Sequence, residues 1–417
     1  MTKRLYYDQP DLLEFDAVVD EVTAGSPESP RPAVVLRETA FYPTSGGQVH
    51  DTGWLTLAGS GVAERLRVAE VADMEDGRVV HYLEGPLKQS IAGAALPGSA
   101  VHGSIDSERR RDHMQQHTGQ HVLSAAFIEL YSMPTVSFHM SDEYCSIDLA
   151  AAMVRPEQIV GAERRANEIS FENRPLRIRY VTRQEAEKLG LRKLPPAERD
   201  ELRLIEIVDF DLTACGGTHV NSTGQIGSIL LRKVEKTRQG TRVEFVCGAR
   251  AVRLARRDYS ALSEAGGLLS TQTWDVPNQI RKGFDDAKTL RKRAEDALDA
   301  LAEAMAREAV GTSETGNRKV ITRIFSDHDV NFAKLFAQKA TRVGGTVVAL
   351  VASTADPAGM VFAQTPGGAA DMGALLKQTL ASVGGRGGGG RDFAQGGIPA
   401  GCEVEKLLRE AAGTIGG

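Results

Sequence analysis

Two short stretches of this 417-residue sequence carry side chains that can hold a metal. One is Asp112–His121 (DHMQQHTGQH). The other, about a hundred residues later, is Ala214–His219 (ACGGTH). Residues four apart lie on one face of a helix, so His117 and His121 can present two imidazoles to one point. Cys215 and His219 flank two glycines, the composition of a turn, and a turn can aim a thiolate and an imidazole together. Three nitrogens and one sulfur form an ordinary zinc shell. Either pattern alone is weak evidence, but the two together, each inside a Thr/Gly-containing signature, point to zinc. His113 continues the same helical stripe, so spacing does not choose between His113/His117 and His117/His121.

These ligands need elements to position them. The periodicity predicts a helix from Arg109 to Tyr131 that carries the histidines and stops before Pro134. Thr135–Met140 with Cys145–Leu149 reads as a hairpin, and Pro156–Asn173 as a second helix. Leu176–Val181 and Leu204–Val208 alternate as strands do, the latter leading into the CGGTH turn. Ile226–Val234 and Thr241–Cys247 read as a hairpin across Arg238–Gly240. Upstream, residues 1 to about 100 show short alternating runs such as Ala33–Arg37 and Arg65–Val71 between turn-rich clusters, the pattern of a small β-barrel. Inside that region lies Glu38–Gly53 (ETAFYPTSGGQVHDTG). Its Gly46-Gly47 pair permits a tight turn, and the Thr39 hydroxyl and Gln48 amide can bind a small polar group.

Beyond the metal motifs, Pro277 to about Ala309 is the longest helical pattern, with apolar residues from Ile280 and Phe284 through Leu298, Leu301 and Met305. Strict heptads fit poorly, so an amphipathic linker helix or short dimerising hairpin is expected. Gly311–Gly316 reads as a polar break. After it, Lys319–Phe325 and Gly345–Val351 predict strands, while Phe332–Thr341, Met372–Val383 and Glu403–Ala411 predict helices. Between Gly384 and Gly401 stand nine glycines. Composition makes this a flexible linker, yet Arg386 and Arg391 lie within it and a helix follows, an arrangement that can hold phosphate.

The overall class is α+β. It comprises an N-terminal β-barrel (1–100), an α/β metal-bearing domain (101–262), a helical linker (263–312) and a C-terminal α/β domain (318–417). The net charge of −5 does not by itself suggest a nucleic-acid partner. From Ser228 to Arg257, however, nine Lys/Arg face only two Glu, so Arg232, Lys233 and Arg242 are candidates for phosphate contact. Four cysteines in a chain this long argue against a secreted disulfide scaffold. The N-terminus lacks a signal-peptide core, and no run is long enough to span a membrane, so a soluble cytoplasmic protein is expected. A zinc peptidase typically has Glu beside the first histidine, whereas Thr118 and Gly119 follow His117.

FYPTSGGQ, HTGQH and CGGTH, in this order, resemble the editing domain of alanyl-tRNA synthetase. GGRGGGGRDFAQGG resembles the DHH-associated domain of the same enzyme. The sequence starts directly at the β-rich region without an activation domain, as in the alanyl-tRNA editing proteins of the AlaX type in their long form. The resemblance implies one zinc per chain on His117, His121, Cys215 and His219, with His113 left to support a ligand from outside the shell or to lie at the surface. It implies hydrolysis of tRNA(Ala) mischarged with serine, with glycine as a further substrate, and it matches Thr39 and Gln48 to pocket positions. Ser45 stands where the family often has a third glycine. A homodimer through the linker helix or the C-terminal domain is a further expectation. Four protein ligands normally close a zinc shell, while catalytic zinc keeps a position open. A loose ligand, an expanded shell or a metal that only positions the substrate are the alternatives. A non-catalytic tRNA-binding protein with a structural zinc is the rival reading.

Overall fold

The computed structural model describes residues 1–23, 31–57, 64–85, 97–189, 191, 201–238, 240–313 and 318–415. Parts of two predicted breaks, Gln239 in the hairpin turn and residues 314–316 of the polar break, lie outside the described residues. The chain divides into two compact units, Met1–Glu264 and Ala265–Gly417.

In the first unit the strands are β1 (Lys3–Arg4), β2 (Glu14–Thr23), β3 (Ala33–Leu36), β4 (Glu38–Thr39), β5 (Gly53–Leu57), β6 (Glu64–Asp73), β7 (Val79–Leu83) and β8 (Ala100–Ile105). Six of them close a barrel in the order β2-β3-β7-β6-β5-β8. Alternating residues point inward, and Phe15, Val19, Leu36, Leu55, Val68 and Val101 fill its interior. The closing strand β8 extends past residue 100, where the sequence suggested the region would end.

Helix α1 (Ser107–Tyr131) leaves the barrel directly. It is followed by β9 (Thr135–Met140), β10 (Cys145–Leu149), α2 (Pro156–Phe171), β11 (Leu176–Thr182), α3 (Arg183–Lys188), β12 (Glu201–Ile207), β13 (Asp211–Ala214), β14 (Ile229–Lys236) and β15 (Thr241–Cys247). One sheet runs β14-β15-β10-β9 and a second runs β11-β12-β13. A single core joins Leu123 and Phe127 of α1, Ile169 of α2, and Ile147 and Phe245 of the larger sheet. Ile226 belongs to a short 3-10 turn rather than to β14. The basic run continues into helix α4 (Gly248–Leu268), which the sequence reading did not anticipate.

The start of α1 is fastened to the barrel. The Asp106 carboxylate accepts from Arg67 Nη2 at 2.7 Å and from the Thr52 hydroxyl at 2.5 Å. One turn on, Arg110 is 1% exposed and Asp51 is 0% exposed. The Arg110 guanidinium donates to the Asp51 carboxylate and to the Pro10 and Ala40 carbonyls. The Asp51 carboxylate also accepts the Tyr42 N–H at 2.7 Å.

The second unit opens with α5 (Val276–Thr312) and contains β16 (Lys319–Phe325), α6 (Val330–Ala340), β17 (Val347–Ser353), β18 (Gly359–Gln364), α7 (Met372–Ala381), β19 (Arg386–Gly389), β20 (Phe393–Gly397) and α8 (Val404–Ile415). Its sheet order is β16-β17-β18-β20-β19. Two cores line it: Ala302 and Ala306 of α5 pack with Phe332 and Phe336 of α6, while Leu376 and Leu380 of α7 pack with Leu407 and Leu408 of α8.

The glycine-rich segment is therefore not a linker: it is the antiparallel hairpin β19–β20. Its glycines are spatial requirements. A Cβ at Gly387 or Gly396 would run into Leu380 of α7 and the facing strand, and one at Gly389 into Phe393 and Ala394. The backbone amides where it meets a helix start are already occupied, since Met372 and Gly373 of α7 donate to the Arg391 and Gly390 carbonyls at 2.9 and 3.1 Å.

Candidate metal centre

Helix α1 buries everything from Gln116 to Phe127, and His117 and His121 lie on its buried face. The glycine between them has a packing reason, because a Cβ at Gly119 would run into the Cys247 thiol of β15. The CGGTH turn follows β13, which pairs with β12. Arg203 on β12 shapes that turn, donating from Nη1 to the Cys215 carbonyl at 2.7 Å and the Gly217 carbonyl at 3.1 Å. A Cβ at Gly217 would strike the His117 ring, so only glycine lets the turn cross this close.

These elements bring His117, His121, Cys215 and His219 together, with one ligand atom from each within 4.8 Å of the others. Cys215 Sγ lies 3.4 Å from His117 Nε2 and 3.3 Å from His219 Nε2. Zn–S and Zn–N bonds of about 2.3 and 2.0 Å at tetrahedral angles put sulfur and nitrogen about 3.5 Å apart, so the spacing fits zinc. The far nitrogens also fit, since metal-binding imidazoles use the second nitrogen for a polar partner. His117 Nδ1 is 2.7 Å from Gln48 Oε1 and His219 Nδ1 is 3.1 Å from the Thr118 hydroxyl, while His121 Nδ1 faces the Asp211 carboxylate at 3.8 Å. Burial, and to a smaller degree the Arg203 charge, push His117 down to about 3. His219 is lowered well below its ordinary range by burial and then by its imidazole neighbours and Arg203. Both therefore offer neutral lone pairs near neutral pH.

His113 stays outside this cluster, yet it is not a surface residue. It is 1% exposed and sits near Arg109, Arg250 and Arg110.

Thr39 and Gln48 are both 0% exposed. Thr39 stands on β4 against His81. The His81 Nδ1 lies 3.0 Å from the Val34 carbonyl, which can only accept, so that nitrogen carries the proton. His81 Nε2 then accepts from the Thr39 hydroxyl at 2.8 Å, and Thr39 Oγ1 accepts the Phe41 N–H at 3.1 Å. Burial pushes His81 down to about 4, consistent with this neutral tautomer. One lone pair of Thr39 Oγ1 remains.

Two adjoining depressions border the CGGTH turn. One of about 500 Å³ is lined by apolar Leu13, Met114 and Val220 and polar Arg111, Gln115 and Asn221. The other, about 240 Å³, shares Asp11, Val220 and Asn221 with it and reaches His219.

The expected phosphate contacts are differently placed. Arg232 pairs with Asp258 and Lys233 with Glu235, while Arg242 grips Asp148 at 2.7 and 2.9 Å. Arg386 and Arg391 are exposed on the glycine hairpin, with no carboxylate in ion-pair range among the described residues. The sequence reading missed Asp51, Arg110, Arg203 and His81. Arg110 did leave a signal, for it lies seven residues before His117, on the stripe that is buried.

Residues 4–109, the barrel and the first residues of α1, match the family described as tRNA synthetases class II (A). Residues 202–244, which hold the CGGTH turn, match the threonyl and alanyl tRNA synthetase second additional domain. The alanyl-tRNA editing protein AlaX-L of Pyrococcus horikoshii is 31% identical over 409 residues, covering 96% of this chain and 95% of that protein. The chain belongs to the AlaX family of alanyl-tRNA editing proteins. Alanine–tRNA ligases are similar as well. The one from Pyrococcus furiosus is 34% identical over 74% of this chain and 32% of its own length, and the one from Archaeoglobus fulgidus is 31% identical over 98% and 43%. This AlaX chain thus spans less than half the length of those ligases. The solved C-Ala domain of Aquifex aeolicus alanyl-tRNA synthetase matches 24% of the chain at 21% identity with a TM-score of 0.21, too low to carry an argument.

Proposed function

We propose that this AlaX chain is a zinc-dependent hydrolase that deacylates tRNA(Ala) mischarged with serine, and with glycine as a further substrate. The observation that carries the reading is the convergence of His117, His121, Cys215 and His219 in a family of alanyl-tRNA editing proteins. The bond to be broken is an ester between an amino acid and a ribose hydroxyl. Its hydrolysis needs an activated water and stabilisation of an oxyanion, and zinc, when bound, supplies Lewis acidity for either. The chain's residues do the rest. The two adjoining depressions, the smaller of which reaches His219, offer a path for an unpaired 3′ end, apolar surface for the bases and amides for their edges. Thr39 offers its remaining lone pair to the serine hydroxyl. Rejection of alanine then follows from a polar pocket group left unpaired.

In this reading the barrel, closed by β8 at Ile105, is followed by the editing domain to residue 262, by a helical segment over 263–312 whose end packs into the second unit, and by the tRNA-binding domain over 318–417. Arg386 and Arg391, with Arg232, Lys233 and Arg242, meet the tRNA backbone in the cytoplasm. Exposed Ile280, Phe284 and Leu298 on α5 favour a homodimer. The four-ligand shell favours one rival, a tRNA-binding protein whose zinc is structural. Incubation with Ser-, Gly- and Ala-tRNA(Ala), with and without a chelator, separates them. Chelator-sensitive loss of serine and glycine with alanine retained is expected. Intact Ser-tRNA(Ala) in the presence of zinc sinks the hydrolase.

A further inference from the structure

The Gln48 side chain joins the three motifs. Its Nε2 donates to the Thr218 hydroxyl at 2.8 Å, and its Oε1 accepts the Thr218 backbone N–H at 3.1 Å. A backbone N–H can only donate, so the oxygen end of the amide is identified without ambiguity. The same oxygen lies 2.7 Å from His117 Nδ1. An amide oxygen cannot donate, so His117 Nδ1 must carry the proton. The lone pair is left on Nε2, the atom that faces Cys215 Sγ at 3.4 Å. Gln48 is 0% exposed, and its oxygen already accepts two hydrogen bonds. The other two imidazoles are backed by Thr118 and Asp211, which belong to the same part of the chain as the ligands. His117, by contrast, is backed from the barrel region.

We infer that Gln48 is a positioning residue of the metal centre: it sets the Nδ1–H tautomer and ring orientation of His117 and does not touch the substrate. This rests on the four ligands holding zinc, as proposed above.

The test is made on the full chain without tRNA. Gln48→Met keeps the length and removes the acceptor, while Gln48→Glu keeps an acceptor. Zinc affinity is measured against a competing chelator, and cobalt substitution reports the ligand geometry through its visible absorption. Loss of such a supporting partner lowers metal affinity about 10- to 100-fold. That loss and an altered cobalt spectrum are expected for Gln48→Met, with affinity restored towards wild type in Gln48→Glu. Wild-type affinity and spectrum in Gln48→Met overturn the inference. If Gln48→Met does not fold, Thr218→Val tests the anchor from the other side. A smaller loss of the same sign supports the inference and no change overturns it. In metal-saturated Gln48→Met the KM for Ser-tRNA(Ala) is expected to be unchanged. A raised KM with unchanged zinc affinity puts Gln48 in the substrate pocket. Because zinc binding is read without tRNA, a chain inactive in deacylation leaves this inference standing.

Discussion

Asp51 and Arg110 place a full charge pair where no water reaches, and each depends on the other. Breaking such a pair by removing one partner costs about 3–5 kcal/mol, because the remaining charge is stranded. Asp51→Asn is expected to lose about that much in urea unfolding. A second prediction concerns His113, which burial, reinforced by Arg109, Arg250 and Arg110, pushes down to about 3. The folded chain refuses a proton that the unfolded chain accepts near pH 6.5. Stability therefore falls as pH drops from about 6.5 towards 3. Urea midpoints measured down to pH 4 should decline, and His113→Leu should flatten the decline. Thr39→Val removes the donor to His81 and the lone pair proposed above for the serine hydroxyl. A lost hydrogen bond of about 0.5–1.5 kcal/mol corresponds to a 2- to 13-fold fall in the ratio of Ser- to Ala-tRNA(Ala) deacylation. An unaltered ratio removes Thr39 from serine selection.

At the scale of elements, the motif glycines are close-packing positions. Gly119 faces Cys247 and Gly217 faces His117. Gly119→Ala overpacks the crossing of α1 with β15 and is expected to cost about 1–3 kcal/mol, read as a lower melting temperature. Gly217→Ala pushes the turn off His117 and should weaken zinc binding with little change in melting of the metal-free chain. Most elements were legible because their signals are local: α1 and α5 show helical periodicity, and the barrel strands alternate. The β19–β20 hairpin was not, because glycine leaves no alternation to read and its composition equals that of a linker. Helix α4 was obscured by its charges, which read as a phosphate-facing surface. The grouping of His117, His121, Cys215 and His219 was legible from spacing and family likeness together. The partners of Gln48 lie 69 and 170 residues away, and nothing local encodes them.

For the whole molecule, the cations that remain unpaired are the ones available to RNA. Arg386 and Arg391 carry no carboxylate partner among the described residues, whereas Arg232, Lys233 and Arg242 do. The double variant Arg386→Ala, Arg391→Ala is expected to weaken tRNA binding and to lower the salt slope by about one to two, measured by filter binding across ionic strengths. Neutralising Arg232, Lys233 and Arg242 together should change the slope less, because each already has a counter-charge. An equal response from both sets would show that the ion pairs open on binding.

Gln48 and Asp51 also bear on how such a chain can be divided or recombined. A cut after Ile105 looks natural, since it falls between a finished barrel and a new helix. Yet it would separate His117 from its amide and leave Arg110 without its counter-ion. The barrel is thus not an interchangeable module. A chimera that takes its barrel from another protein keeps the contacts to His117 and Arg110 only if the donor brings an amide and a carboxylate at these two positions.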